Sequence, residues 1–285
     1  MSRGLPEALN GMAFDPVLSR VAAEHDWAAL RPVARWLYEQ DPYGEREMLD
    51  AAARLAGLGD DDVARHLEHQ LWCAWRQARW MHDRAERLPV RVEGAEFLSE
   101  TDGRPTLVVA PMTLSTADAI VVIGSAMAGR NVVTYGEGMG AGDGLADVDV
   151  NLVGAESSAA RRIAEVLGAG GVLCTYADFV YAGHQVVPVE LFGTRRKIAS
   201  GFVAFGARPG AMLLPAVCLA RGDHVTLRFG EPYAVDVDAD APPPRSALVD
   251  LLAPVVAELL EETIRHAGPQ WLLLPTLTFE SRGMG

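Results

Sequence analysis

The residues best suited to chemistry lie in the stretch APMTLSTADA, residues 110–119, which follows the apolar run TLVVA. The run predicts a strand and the residues after it predict a helix, so Thr113, Ser115 and Asp118 fall at a strand–helix junction. Such a junction is a common place for an active site. The helix start also offers backbone N–H groups to an oxyanion. The stretch therefore predicts a site, and the alternative is a simple helix start with a surface aspartate.

The densest basic run is Arg195-Arg196-Lys197, in GTRRKIAS, and it contains the only lysine of the chain. We predict a helix over 196–207, which places these cations at a helix start, where positive charge is mildly unfavourable. Two interpretations stay open. The run is either a solvated helix end or a site for the phosphates of coenzyme A, a phosphopantetheine arm or tRNA.

Other motifs point away from several classes of protein. The sequence has no G-x-S-x-G elbow, no P-loop and no HExxH, and no Cys/His cluster suggests a metal site. The glycine-rich segment YGEGMGAGDG follows a middle strand, so we interpret it as a mobile loop and not as a dinucleotide-binding turn. The three cysteines, Cys73, Cys174 and Cys218, are expected to be buried free thiols, and no cofactor is predicted.

Composition indicates a globular protein without a membrane span. The formal net charge is −13 over 285 residues, which repels nucleic acid and anionic membranes unless a local basic patch overrides it. No apolar run reaches the ~20 residues that cross a bilayer. The first residues lack the apolar stretch of a signal peptide. We therefore expect a cytoplasmic protein, which would contact tRNA only through a local basic patch.

The pattern of apolar residues changes near residue 89. Before it, helical spacing dominates, and the tryptophans Trp72, Trp75 and Trp80 are expected in the core. After it, short β runs alternate with helical ones, which predicts an α/β fold with a central mixed sheet flanked by helices. We predict a helical part over 1–88 and an α/β domain over 89–285, forming one structural unit. Predicted strands are VRVEGAEFL, TLVVA, NVVTY, VDVNLV, GGVLCTY, VVPVEL, AMLLPAVCLA and HVTLRFG, and predicted helices cover 114–128, 157–168, 196–207 and 245–266.

The order of motifs in the second half resembles the bacterial lipid A biosynthesis acyltransferases and their relatives that acylate phosphatidylinositol mannosides. In that family an acid follows the strand that ends here at Asp178. A Phe-Phe-Gly turn matches Leu191-Phe192-Gly193, and a Gly/Ala-rich helix leads into the stretch from Pro209 to Pro215. The tail signature matches Ile264-Arg265 and Pro269-Gln270-Trp271, without the glutamate of the family. The resemblance implies a glycerolipid/lipid A acyltransferase-like fold.

The resemblance also implies roles for the opening stretch. The family motif is His-x4-Asp/Glu, in which the histidine deprotonates the acceptor and the acid orients the histidine. Asp118 matches the acid, but Thr113 takes the place of the histidine, and a threonine hydroxyl cannot be a general base near pH 7. Three explanations stay open. The base is another residue, namely Asp118, Asp178, His184 or Glu137. Alternatively, the acceptor needs no strong base, or the protein binds ligands without turnover.

The resemblance therefore predicts an acyltransferase that moves an acyl or aminoacyl group from an acyl carrier protein, coenzyme A or aminoacyl-tRNA. The acceptor is expected to be a small nitrogen or hydroxylamine-type nucleophile of specialised metabolism, with Arg195, Arg196 and Lys197 on the donor's phosphates. The alternatives are a catalytically inactive relative that binds an acyl group or a partner, and an acyltransferase for phosphatidylinositol mannosides or other lipids.

Overall fold

The computed structural model describes residues 26–42, 44–82, 87–135, 150–153, 158–178, 186–238, 240–241 and 243–278. The described residues fall into two compact units. The helical unit comprises those within Met1–Arg87, Thr113–Asp118 and Ala267–Gly285. The α/β unit comprises those within Leu88–Met112 and Ala119–His266.

The helical unit is built on one long amphipathic helix. Its helices are α1 (Trp27–Gln40), α2 (Arg46–Leu55) and α3 (Asp60–His82), and two 3₁₀ turns, Gly268–Gln270 and Leu274–Thr278, join them. Helix α3 begins with three aspartates, which suit the positive end of the helix dipole. One apolar cluster joins α1 to α3 and a second joins α2 to α3. Trp72 is buried as expected, and Trp75 is partly buried against the first cluster, with its ring 6.0 Å from that of Trp27. The side chain of Trp80, also expected in the core, lies outside the described residues.

The α/β unit contains a mixed sheet flanked by helices, which confirms the predicted α/β class. Its strands are β1 (Val90–Glu93), β2 (Thr106–Ala110), β3 (Val132–Tyr135), β4 (Asn151–Val153), β5 (Val172–Tyr176), β8 (Met212–Ala220), β9 (Val225–Phe229) and β10 (Tyr233–Ala234). Neighbouring strands follow the order β1-β9-β8-β2-β5-β3-β4, and the short β10 pairs with β8. Strands β2, β5, β3 and β4 are mutually parallel, whereas β8 and β9 are antiparallel to each other. The helices are α4 (Ala95–Ser99), α5 (Thr116–Ala126), α6 (Ala159–Gly168), α7 (Ser200–Gly206) and α8 (Arg245–Ala267), of which α5 begins and α8 ends in the helical unit.

Two predicted elements are corrected by the structure. The predicted strand VRVEGAEFL ends at Glu93, because Gly94 takes a positive φ of 71° and starts the short helix α4. The helix predicted over 196–207 begins only at Ser200, because Thr194–Ala199 forms strand β7, paired with β6 (Val186–Leu191) in a two-stranded hairpin. The hairpin turns at Phe192 and Gly193, whose φ values of 52° and 67° are those of a two-residue primed turn.

The carboxyl ends of β2 and β5 lie side by side, since these parallel strands pair along their whole length from Thr106 and Val172. In open α/β sheets ligands bind outside this edge. All three cysteines are buried and free, as expected. Among the described helices, none is both long and apolar enough to cross a membrane.

Candidate functional site

Asp118 lies in a buried ion pair of the helical unit. Its Oδ1 is 3.1 Å from a terminal guanidinium nitrogen of Arg76 on α3, and the two residues are 6% and 1% exposed. The Ser115 hydroxyl donates to Asp118 Oδ2 at 3.1 Å and accepts from the Asp118 backbone N–H at 3.2 Å. The aspartate predicted at the surface by the alternative interpretation is therefore buried, and its carboxylate is held by a cation and a hydroxyl.

Part of this network belongs to the start of helix α5. Ser115 directly precedes the helix, and its hydroxyl bonds to the N–H three residues later, as the first residue of a capping box does. Capping explains the spacing of Ser115 and Asp118, but a helix cap requires no cation. The ion pair between Arg76 and Asp118 is therefore a separate feature of the site, in which each charge offsets the cost of burying the other.

Thr113 lies next to a histidine of helix α3. The Nε2 atom of His69 is 2.7 Å from the Thr113 carbonyl oxygen, and Cys73 Sγ is 3.5 Å from the same nitrogen. The imidazole stacks on the ring of Trp72, with centroids 5.7 Å apart. The Thr113 side chain is fully buried, and its hydroxyl has no hydrogen-bond partner among the described residues. An imidazole thus contacts the backbone carbonyl of Thr113.

Burial controls the protonation of this cluster. It lowers the pKa of His69 to about 4, although the bond to the Thr113 carbonyl opposes the shift, so the ring is neutral near pH 7. A neutral ring whose Nε2 faces a carbonyl carries its proton on Nε2 and a lone pair on Nδ1. Burial, reinforced by the Asp118 carboxylate, raises the pKa of the Cys73 thiol well above its ordinary value. Cys73 therefore stays a thiol and is not an activated nucleophile.

Asp178 has a structural partner within the α/β unit. It follows β5, and both of its carboxylate oxygens lie 3.1 Å from the backbone nitrogen of Met112, just past the end of β2. The carboxylate is buried and accepts this N–H. Asp178 thus joins the carboxyl ends of two adjacent parallel strands.

The three cations of the basic run do not share one face. In strand β7 the side chains alternate, so Arg195 and Lys197 are exposed while Arg196 is buried on the opposite face. Arg195 stands opposite Glu190 in the hairpin register. It also lines a groove of about 540 Å³ with Glu190, Glu258 and Glu261. These three carboxylates weaken the local positive potential that a phosphate would need.

Two candidates of the predicted site, His184 and Glu137, lie outside the described residues, as does most of the glycine-rich segment. Among the residues that are described, no group of His, Cys, Asp and Glu side chains could hold a metal ion.

Sequence reasoning missed His69, Cys73 and Arg76. All three lie on α3, at spacings of four and three residues that place them on one side of the helix. The sequence feature that could have indicated them is a set of polar residues on the apolar side of α3, where His66, His69 and Arg76 are all buried. Their partners are 40 or more residues away, which local pattern does not reveal.

The sequence matches no protein-family model, and no curated protein matches it.

Proposed function

We propose that this protein is an acyltransferase resembling the lipid A biosynthesis acyltransferases. It moves an acyl or aminoacyl group from an activated donor to a small nitrogen or hydroxylamine-type nucleophile. The donor is an acyl carrier protein, a coenzyme A thioester or an aminoacyl-tRNA. In the reaction the acceptor's lone pair forms a bond to the acyl carbon, the bond from that carbon to the donor's sulfur or oxygen breaks, and the acceptor's proton passes to the leaving group.

The observation that carries the proposal is the buried Asp118 at the junction that the resemblance marks as the active site. Its ion pair with Arg76 and its bond to Ser115 fix the carboxylate at the start of helix α5. Apart from the Asp118 N–H, which donates to Ser115, the N–H groups of the first helical turn have no partner within the helix, so they are suited to a developing oxyanion.

The same ion pair favours an acceptor that needs no strong base. Both oxygens of the Asp118 carboxylate are already engaged, Oδ1 by the Arg76 guanidinium and Oδ2 by the Ser115 hydroxyl. Asp178 is engaged with the Met112 N–H. An amine or hydroxylamine attacks a carbonyl at neutral pH without prior deprotonation, whereas a sugar hydroxyl needs a base worth ~10²–10⁴ in rate.

One observation favours the inactive relative instead. Thr113 and Asp118 are 0% and 6% exposed, as expected of residues that stabilise a fold without meeting a substrate. A transfer assay separates the two functions. The protein is incubated with acyl carrier protein, coenzyme A and aminoacyl-tRNA donors and with hydroxylamine, an amine or a sugar alcohol, and products are identified by mass spectrometry. Transfer to the nitrogen acceptors supports the proposal. Binding without transfer to any acceptor indicates the inactive relative, and transfer to the sugar alcohol alone indicates a lipid-type acyltransferase.

Replacing Asp118 with Asn is expected to lower turnover by ~10²-fold, because the amide keeps the shape but not the charge that orients the site. The substitution also removes the carboxylate that faces the Arg76 guanidinium, so a matched double variant, Arg76→Met with Asp118→Asn, removes both charges. Turnover is measured by product mass spectrometry below the unfolding temperature of each variant. A double variant with wild-type turnover would show that the buried cation, and not the missing carboxylate, caused the loss.

Replacing Arg195 and Lys197 together with Ala is expected to weaken donor binding and to flatten its dependence on salt, if this exposed face holds the donor's phosphates. The readout is the dissociation constant of coenzyme A at several salt concentrations. The matched control is Arg221→Ala, which removes an exposed arginine outside the hairpin. An unchanged dissociation constant at low salt would identify the two cations as a solvated hairpin face.

A further inference from the structure

We infer that His69, on helix α3, is the proton acceptor of the transfer reaction, taking the role that Thr113 cannot fill. The inference deepens the proposed function and rests on it.

Its geometric basis is the contact between the imidazole and residue 113. Nε2 donates to the Thr113 carbonyl at 2.7 Å, which fixes the ring beside the junction. The single proton of the neutral ring is therefore on Nε2, and Nδ1 carries a lone pair. Stacking on Trp72 holds the ring plane. A histidine of a helix 44 residues away is thus held against the backbone of residue 113.

The buried hydroxyl of Thr113 is an independent pointer to a ligand. It is fully buried and lacks a hydrogen-bond partner among the described residues. Buried polar groups are nearly always bonded, so this hydroxyl is suited to a polar acceptor molecule. An acceptor molecule that binds this hydroxyl would contact Thr113, the same residue whose carbonyl oxygen accepts the His69 N–H.

The other ionisable groups of the cluster are less suited to accept the proton. Asp118 is paired with Arg76, and Cys73 is a buried thiol. The neutral imidazole of His69 is a weak base, and a weak base is sufficient for a nitrogen nucleophile. When the acceptor's nitrogen bonds to the acyl carbon it becomes a cationic, acidic N–H. That proton passes to Nδ1 of His69 and then to the donor's departing sulfur or oxygen, which returns the ring to its neutral form.

The test compares two histidine variants on the full chain, with hydroxylamine as acceptor and whichever donor class supports wild-type transfer. His69→Gln keeps an N–H donor at the position of Nε2 and removes the Nδ1 lone pair, so turnover is expected to fall by ~10²-fold or more. The control is His66→Asn. His66 lies one turn away, is fully buried, and its Nδ1 is 3.0 Å from the Pro269 carbonyl, a bond that Asn can replace. His66→Asn should keep turnover within about twofold of wild type.

Unfolding curves are recorded for both variants. If His69→Gln does not fold, His69→Phe, which keeps a ring stacked on Trp72, repeats the measurement. Wild-type turnover in a folded His69 variant, or an equal loss in His66→Asn, would overturn the inference while leaving the acyltransferase intact. Absence of transfer by the wild-type protein with every donor would overturn the proposed function itself, and the inference with it.

Discussion

Replacing Arg76 with Met is expected to lower the free energy of unfolding by roughly 3–5 kcal/mol, the cost of removing one partner of a buried ion pair. Arg76 is 1% exposed and its guanidinium lies 3.1 Å from Asp118. The methionine fills a similar volume, but the Asp118 carboxylate then stays buried without its cation. Unfolding in urea, with the midpoint and slope recorded for each variant, measures the effect.

Two controls distinguish the ion pair from general damage. Arg161→Met removes a partner of Glu165 at 3.6 Å on the surface of α6, where both side chains are mostly exposed, and is expected to cost no more than about 0.5 kcal/mol. The double variant Arg76→Met with Asp118→Asn removes both buried charges and should be more stable than Arg76→Met alone. Equal losses in the buried and the exposed pair would show that the buried pair contributes no special stability.

Acid is expected to destabilise the helical unit through its two buried histidines. Burial lowers the pKa of both His66 and His69 to about 4, against about 6.5 for an exposed ring. Between these values the unfolded chain binds protons that the folded chain does not, so stability falls as the pH falls from about 6.5 to about 4. Above pH 6.5 both states are neutral and the histidines cause no pH dependence. Each ring contributes roughly 3 kcal/mol of acid destabilisation once the pH is below its folded pKa.

Urea unfolding at half-unit steps from pH 7.5 to pH 4 tests this expectation. His66→Asn removes one of the two rings, so its free energy of unfolding should fall less steeply over that range than that of the wild type. His266→Asn changes an exposed ring on α8 and should follow the wild-type curve. Parallel curves for wild type and His66→Asn would contradict the assignment of this acid sensitivity to the buried histidine.

The sequence predicted those features that depend on neighbouring residues. The α/β class followed from alternating short β and helical runs, and β2 followed from TLVVA. The predicted helix over 196–207 starts within the run TRRKIA, which instead forms strand β7. Its period-two burial depends on the partner strand β6, and the turn at Phe192 needs a positive φ that a non-glycine residue rarely adopts.

The sequence predicted the part of the candidate site that depends on neighbouring residues, and it missed the part that depends on contacts between distant segments. Ser115 and Asp118 lie within one helical turn of each other, so their association is local. His69 and Arg76 meet the segment 113–118 across gaps of 44 and 42 residues, which tertiary folding alone closes. Buried polar residues on one side of an apolar helix are the pattern that would have indicated such partners.

The helical unit is assembled from segments that are far apart in the chain, and this arrangement determines when it can be completed during synthesis. His66 pairs with Pro269 across 203 residues, and helix α2 packs against the 3₁₀ turn at Leu274–Thr278. Every residue of the α/β unit is translated before Ala267. At roughly 5–20 residues per second, α3 waits on the order of 10–40 s for these partners. Helices α1 and α2 are already present to pack on the apolar side of α3, so the late step of folding is the addition of the C-terminal 3₁₀ turns.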